Sequence, residues 1–181
     1  MFQFAKKNPA AFFLLKALLL YIFWYLFYEL WLHPKGYLDA FVIDNLIKSG
    51  EFIISNLGYR LIPEPDPEWA IRTLGIDGTH GIWIGDPCNG ITLFALFTGF
   101  VIAYPGPLKS KLWFIPVGLI TIHIVNIIRI VALVLITLYA PQYLDFNHTY
   151  TFTIVVYSYV FFLWMIWSNK LAANSLTVKN S

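Results

Sequence analysis

Cys88, Arg129 and His148 are the residues of this chain whose types and positions suit chemistry. Cys88 is the only cysteine. It sits in "GDPCNGITLF" (85–94), where a polar, turn-rich segment gives way to an apolar run. A thiolate is a strong nucleophile, and a histidine titrates near neutral pH and serves as general acid and base. An arginine supplies a permanent charge on a planar fork of donors. Together a thiol and a histidine suit nucleophilic chemistry with general acid–base assistance. One thiol excludes an intramolecular disulfide, a CxxC redox pair and a cysteine-rich metal site. The histidines, His33, His80, His123 and His148, lack metal-ligand spacing, so no metal or other cofactor is expected.

The setting of each residue sharpens the expectation. With Asp86 as N-cap and Pro87 as the first helical residue, positions both types prefer, Cys88 falls in a first helical turn. The N–H groups of Asn89 and Gly90 are then free to bind a developing oxyanion. A helix N-terminus and a nearby arginine favour thiolate, while a carboxylate as close as Asp86 opposes it. The plainer reading, of equal weight, is a small buried residue at a helix start. A charged side chain in a bilayer costs at least ~2.5–3.5 kcal/mol, so Arg129 is expected to face a cavity or a partner. His123, Asn126 and Arg129 recur every third residue and share one helix face. Alternatively, Arg129 snorkels outward or pairs with Asp145 to tie two helices. Asp145 or Asn147 is placed to orient His148, whose plainer role is a helix cap. His80 rivals His148 from the same outer side; His123 lies toward the cytoplasmic half, and His33 is interfacial.

These residues must be held by membrane helices. The chain of 181 residues is 59% hydrophobic and 12% charged, against about 25% charged residues in soluble domains. A net charge of +2 is too small to imply nucleic acid. Residues 10–32 form an apolar run long enough to cross a bilayer, which takes ~20 residues, and Trp24 and Trp31 suit its interfaces. With no small-residue cleavage site after it, it reads as a retained anchor. Further apolar runs cover 88–104, 112–139 (with Pro116 and Gly118 as possible kink points) and 151–168. Between the first two lies an acid-rich outer segment, 34–87. Its residues 38–57 have the spacing of an amphipathic helix near the surface, and residues 58–87 show short extended runs broken by Pro and Gly that fit a small hairpin. Residues 105–111 read as a tight basic loop and 140–150 as a polar link.

The predicted fold is therefore an all-α integral membrane protein forming a single domain over residues 1–181. It has about four transmembrane helices, with the amphipathic helix and hairpin outside the membrane between the first two. Lys6, Lys7, Lys109, Lys111, Lys170 and Lys179 mark the cytoplasmic side by the positive-inside rule, which puts both termini in the cytoplasm. Cys88, Arg129 and His148 then lie toward the same outer leaflet, Arg129 some ten residues, or ~15 Å, below Tyr139.

The stretches "PCNGITLF" (87–94), "VNIIRIVAL" (125–133) and "FNHTYTF" (146–152) place a cysteine, an Asn-x-x-Arg pair and a histidine in that order. In this the chain resembles the exosortase/archaeosortase family of membrane cysteine transpeptidases, most closely the exosortase F branch, over about residues 85–165. The resemblance implies a multi-pass protein of the bacterial inner membrane with its active site toward the periplasm. Such an enzyme cleaves C-terminal sorting signals of exported proteins (a short motif, a hydrophobic tail and a basic end) and passes the product to a cell-surface acceptor through a thioester. It implies Cys88 as nucleophile, Arg129 as electrostatic stabiliser and His148 as acid and base; Asn126, Asn89, Gly90 and Asp86 are the supporting residues that the local sequence adds. Many members carry Ser or Ala after the cysteine, where this chain has Asn89. The implied partners are those exported proteins and membrane lipids, with no nucleic acid and no set oligomeric state. The rival readings are a non-enzymatic membrane assembly or scaffold protein, in which Cys88 is dispensable, and a transporter subunit with His123, Asn126 and Arg129 lining a polar path. A quinone-linked thiol oxidoreductase is a poor fit to a single cysteine.

Overall fold

The computed structural model describes residues 8–63 and 72–172. Part of the expected hairpin segment, 64–71, lies outside the described residues, as do Lys6, Lys7 and Lys179. The apolar runs are helical, and three helical runs are long and apolar enough to cross a membrane: Ala10–Lys35, Leu108–Tyr139 and Pro141–Ala172. The first comprises α1 (Pro9–Phe27) followed by a π-helical turn, Tyr28–Leu32, and a 3₁₀ turn, His33–Lys35. Large side chains such as Leu14, Phe23 and Leu30 stand exposed along it. In water such a face would drive association; hydrocarbon is its natural solvent. This is the make-up of an all-α membrane protein.

Three sequence expectations change. The apolar run at 88–104 is α-helical only over Ile91–Ala103 (α3), which is 13 residues or about 20 Å, short of a ~30 Å hydrocarbon core. The basic loop at 105–111 is shorter than expected, because α4 starts at Leu108 and runs unbroken through Pro116 to Tyr139. Lys111 therefore lies on a helix, and its Nζ donates to the carbonyls of Ile102 and Tyr104 at 2.8 Å each. It caps the end of α3, whose last carbonyls have no intrahelical partner. The polar link at 140–150 is helical as well: a 3₁₀ turn, Pro141–Tyr143, leads through Leu144–Phe146 into a π-helical turn, Asn147–Thr151, and then α5 (Phe152–Ile166). Pro141 opens this series, where its missing N–H costs nothing.

The chain forms two compact units, Met1–Lys35 with Ile91–Ile122 and Ser158–Ser181, and Gly36–Gly90 with His123–Tyr157. In the first, Phe13 meets Phe100 and Tyr104 edge-on, and Phe100 stacks on Trp164 with ring centroids 4.5 Å apart. Phe97 is fully buried, and its ring fills the space that a Cβ on Gly118 would need. An apolar cavity of about 460 Å³ lies among Leu20, Trp24, Phe94, Leu119 and Trp164.

The second unit holds α2 (Tyr37–Asn56), which follows Gly36 in the left-handed conformation. Its buried positions, Asp39, Val42, Ile43, Leu46, Gly50 and Ile54, recur every three or four residues as one face of an amphipathic helix must. The Leu74 side chain lies where a Cβ on Gly50 would stand. Leu74 belongs to β1 (Thr73–Leu74), which pairs antiparallel with β2 (Ile82–Trp83), Thr73 opposite Trp83 and Leu74 opposite Ile82. On the other edge of that ladder Leu61 bridges Ile76, with the Ile62 N–H donating to Gly75 at 3.1 Å and the Asp77 N–H to Arg60 at 2.8 Å.

Gly118→Val should drive the α4 backbone away from the Phe97 ring and destabilise the protein by ~1–3 kcal/mol, the cost of overpacking. Thermal unfolding in detergent reads it, and a melting temperature equal to wild type would show that α3 and α4 do not need that close approach.

Candidate active site

The chain enters the site from β2. Gly85 is extended and precedes a 3₁₀ turn, Asp86–Cys88, with Pro87 inside it. The Cys88 N–H donates to the Gly85 carbonyl at 2.9 Å and the Asn89 N–H to that of Asp86 at 3.2 Å. Gly90 has φ +83°, a left-handed conformation that glycine alone adopts at little cost and that a helix cannot continue through. The α-helix then restarts at Ile91.

This geometry corrects the sequence reading at Asp86, Cys88 and Asn89. Gly85, not Asp86, holds the N-cap position, and Cys88 lies in a separate turn rather than the first turn of α3. Asp86 instead accepts from Arg72 Nη1 at 3.0 Å, so its charge is answered by a cation. The Asn89 N–H is engaged within the turn and does not await an oxyanion. Gly90 acts as the joint between turn and helix.

The turn is held by further side chains. Asn126, fully buried on α4, donates from Nδ2 to the Cys88 carbonyl at 3.0 Å. Asn89, 2% exposed, donates from Nδ2 to Asp39 Oδ1 at 2.6 Å, and Asp39 is 1% exposed. Asp39 is a residue the sequence reading passed over as one acid among many in the outer segment. The signal was present: Asp39 is in register with Val42, Ile43 and Leu46, so it had to lie on the buried face of α2.

His148 comes to the turn from the π-helical stretch that leads into α5, and its Nε2 lies 3.4 Å from Cys88 Sγ. A cleft of about 200 Å³ is lined by these two side chains with Asp145, Trp83, Ile130 and Leu133. Arg129 and Asp145 are the charged groups whose fields act on His148. Arg129 is half-buried, and its Nε is buried without a hydrogen-bond partner among the described residues. It makes no ion pair with Asp145, whereas Arg72 pairs with Asp86.

The remaining candidates divide. Asn147 donates from Nδ2 to the Tyr143 carbonyl at 2.9 Å within its own helix, leaving Asp145 as the acidic neighbour of His148 in the cleft. His123 Nε2 is bonded to Asn45 Oδ1 at 2.7 Å. His80 is exposed in the turn between β1 and β2, and His33 belongs to the 3₁₀ turn after α1. Among the described residues no three His, Cys, Asp or Glu side chains are grouped as a metal ion would require.

A sulfur–nitrogen separation of 3.4 Å lets the thiol proton pass to the imidazole once the neutral ring presents Nε2 as acceptor. Two buried polar atoms close by on α4 are unpartnered, Asn126 Oδ1 and Arg129 Nε. A buried donor and acceptor left unmade are costly; the indole N–H groups of Trp164 and Trp167 are unpartnered as well. No family model, no curated protein and no solved structure matches the chain.

Replacing Asp39 with Ala removes the acceptor 2.6 Å from the Asn89 amide. The loss should destabilise the protein by ~1–3 kcal/mol and loosen the turn, so that Cys88 reacts faster with a maleimide in native membranes. Unchanged melting and unchanged labelling would show that Asp39 does not hold the turn.

Proposed function

We propose that the protein is a membrane-embedded cysteine peptidase or transpeptidase of the exosortase/archaeosortase kind, acting on C-terminal sorting signals of exported proteins. The observation that carries this reading is the 3.4 Å approach of Cys88 Sγ to His148 Nε2 across 60 residues of sequence. It is supported by the half-buried Arg129 on the helix face whose Asn126 bonds the Cys88 carbonyl.

In this reaction His148 takes the thiol proton as the sulfur bonds to the carbonyl carbon of the sorting signal. The carbonyl oxygen becomes an oxyanion stabilised by the Arg129 guanidinium. Its collapse breaks the carbon–nitrogen bond, and the imidazolium returns the proton to the leaving amine, which departs with the hydrophobic tail. The thioester is then attacked by an amine acceptor or by water, which gives a proton to His148; the carbon–sulfur bond breaks and the thiol is restored. Splitting one difficult step into two in this way is the advantage of a covalent intermediate.

The topology that goes with this function has four spans in a bacterial inner membrane, with α3 as the short second crossing. Both termini are cytoplasmic and the cleft opens toward the periplasm, a reading that rests on the basic termini and on Lys109 and Lys111. Substrates are exported proteins ending in a hydrophobic tail and basic residues, within a shell of membrane lipids.

Co-expression with exported proteins of that design encoded beside its gene tests the proposal, with intact mass as the readout. Wild type should remove the tail, and the new C-terminal mass separates transfer from hydrolysis. Cys88→Ala should abolish the change while inserting normally, and Cys88→Ser should come close to abolishing it. His148→Ala should slow it by ~10²–10⁴-fold, and Arg129→Lys should impair it, because an ammonium lacks the planar fork. Tail loss that persists in Cys88→Ala, or that occurs for none of these proteins in wild type, would sink the enzyme reading and leave the scaffold reading standing.

A further inference from the structure

The cleft that holds the thiol and the imidazole is also lined by Gly81, Ile82 and Trp83, the start and body of β2. The ladder register determines where the main-chain groups of β2 point. In an antiparallel pair, residues opposite one another alternate between exchanging hydrogen bonds and facing away. The Ile84 N–H donates to the Arg72 carbonyl at 2.8 Å, and Thr73 lies opposite Trp83. Residue 84 therefore faces β1, and the N–H and C=O of Trp83 point away from it. Among the described residues nothing bonds to either group. The opposite edge of β1 and its continuation is already occupied by residues 60–62, so β2 is the edge left open. Trp83 is 68% exposed, and its indole lies over Gly85, where a Cβ would collide with the ring.

An unpaired strand edge is a template for an extended chain, and this one borders the cleft of the nucleophile. We propose that the open edge of β2 binds the substrate as an added strand. The occupant is the extended peptide flanking the scissile bond, which exchanges main-chain hydrogen bonds with Trp83 and so delivers its carbonyl to Cys88 Sγ. Affinity then comes from backbone groups common to any sequence. Side-chain selection comes from the part of the cleft walled by Ile130, Leu133 and Asp145, into which alternate residues of the bound strand project. The inference rests on the peptidase reading and adds the mode of substrate binding.

The test uses the full-length protein in membranes and the exported protein whose tail it removes. Trp83→Pro deletes the outward N–H and leaves the β1 ladder untouched, because proline is tolerated where an edge N–H faces outward. Trp83→Ala deletes the indole and keeps the N–H. Trp83→Pro should process about tenfold more slowly than Trp83→Ala, the worth of one hydrogen bond near the upper end of its range, with both variants melting alike in detergent. Equal rates in the two folded variants would overturn the proposal. Should Trp83→Pro fail to fold, a proline scan through the substrate around its cleavage site decides. Pairing along an edge predicts sensitivity at every second residue, and cysteine-dependent cleavage whose proline tolerance shows no alternation sinks the strand-edge proposal alone. Loss of cysteine dependence removes the peptidase reading and this one with it.

Discussion

A buried amide must be hydrogen-bonded, and Asn126, with no exposed surface, places its donor on the main-chain carbonyl of Cys88. That bond ties the Cys88 turn to α4, the same helix that presents Arg129 one turn later. It also binds backbone rather than thiol, so the sulfur stays available while the peptide unit carrying it is immobilised. The other restraints build on the turn so held: Asn89 reaches Asp39 on α2 and Asp86 reaches Arg72 beside β1. A 3₁₀ turn of three residues has little stability of its own. Its geometry is borrowed from the elements that grip it.

The restraints also divide the polar groups around Cys88 by role. Asp86 and Asn89, within two residues of it in sequence, are engaged in structure. Cys88, itself buried, and His148 line a cleft, and Arg129 keeps an unpartnered donor on the neighbouring helix face. A purely structural polar cluster would satisfy its own donors and acceptors, because each buried group left unmade costs ~1–3 kcal/mol. Here the groups that support the turn are bonded, while unbonded ones lie on the helix that carries it.

The helical joints follow the same economy of backbone groups. Gly90 in the left-handed conformation ends the turn before the next helix starts. Lys111 satisfies carbonyls at the end of α3 that have no partner within the helix. A lysine that reads in sequence as a loop charge so becomes a cap.

Much of this was legible in the sequence. Apolar runs dictated helices, the three- and four-residue spacing of α2 dictated one buried face, and Pro- and Gly-broken extended runs dictated a hairpin, because these patterns are local and arise from backbone geometry. The residue types at Cys88, Arg129 and His148 were legible for the same reason: a sole thiol and an arginine in an apolar helix stand out against their surroundings. The tertiary structure decided which of them meet. Only folding brings Nε2 of His148 to Cys88 Sγ, turns Asp86 to Arg72, sets Asp39 under Asn89 and leaves Trp83 on an open edge. Those outcomes depend on contacts between residues far apart in the chain, whose distances are set by the packing of helices and not by any spacing within one segment.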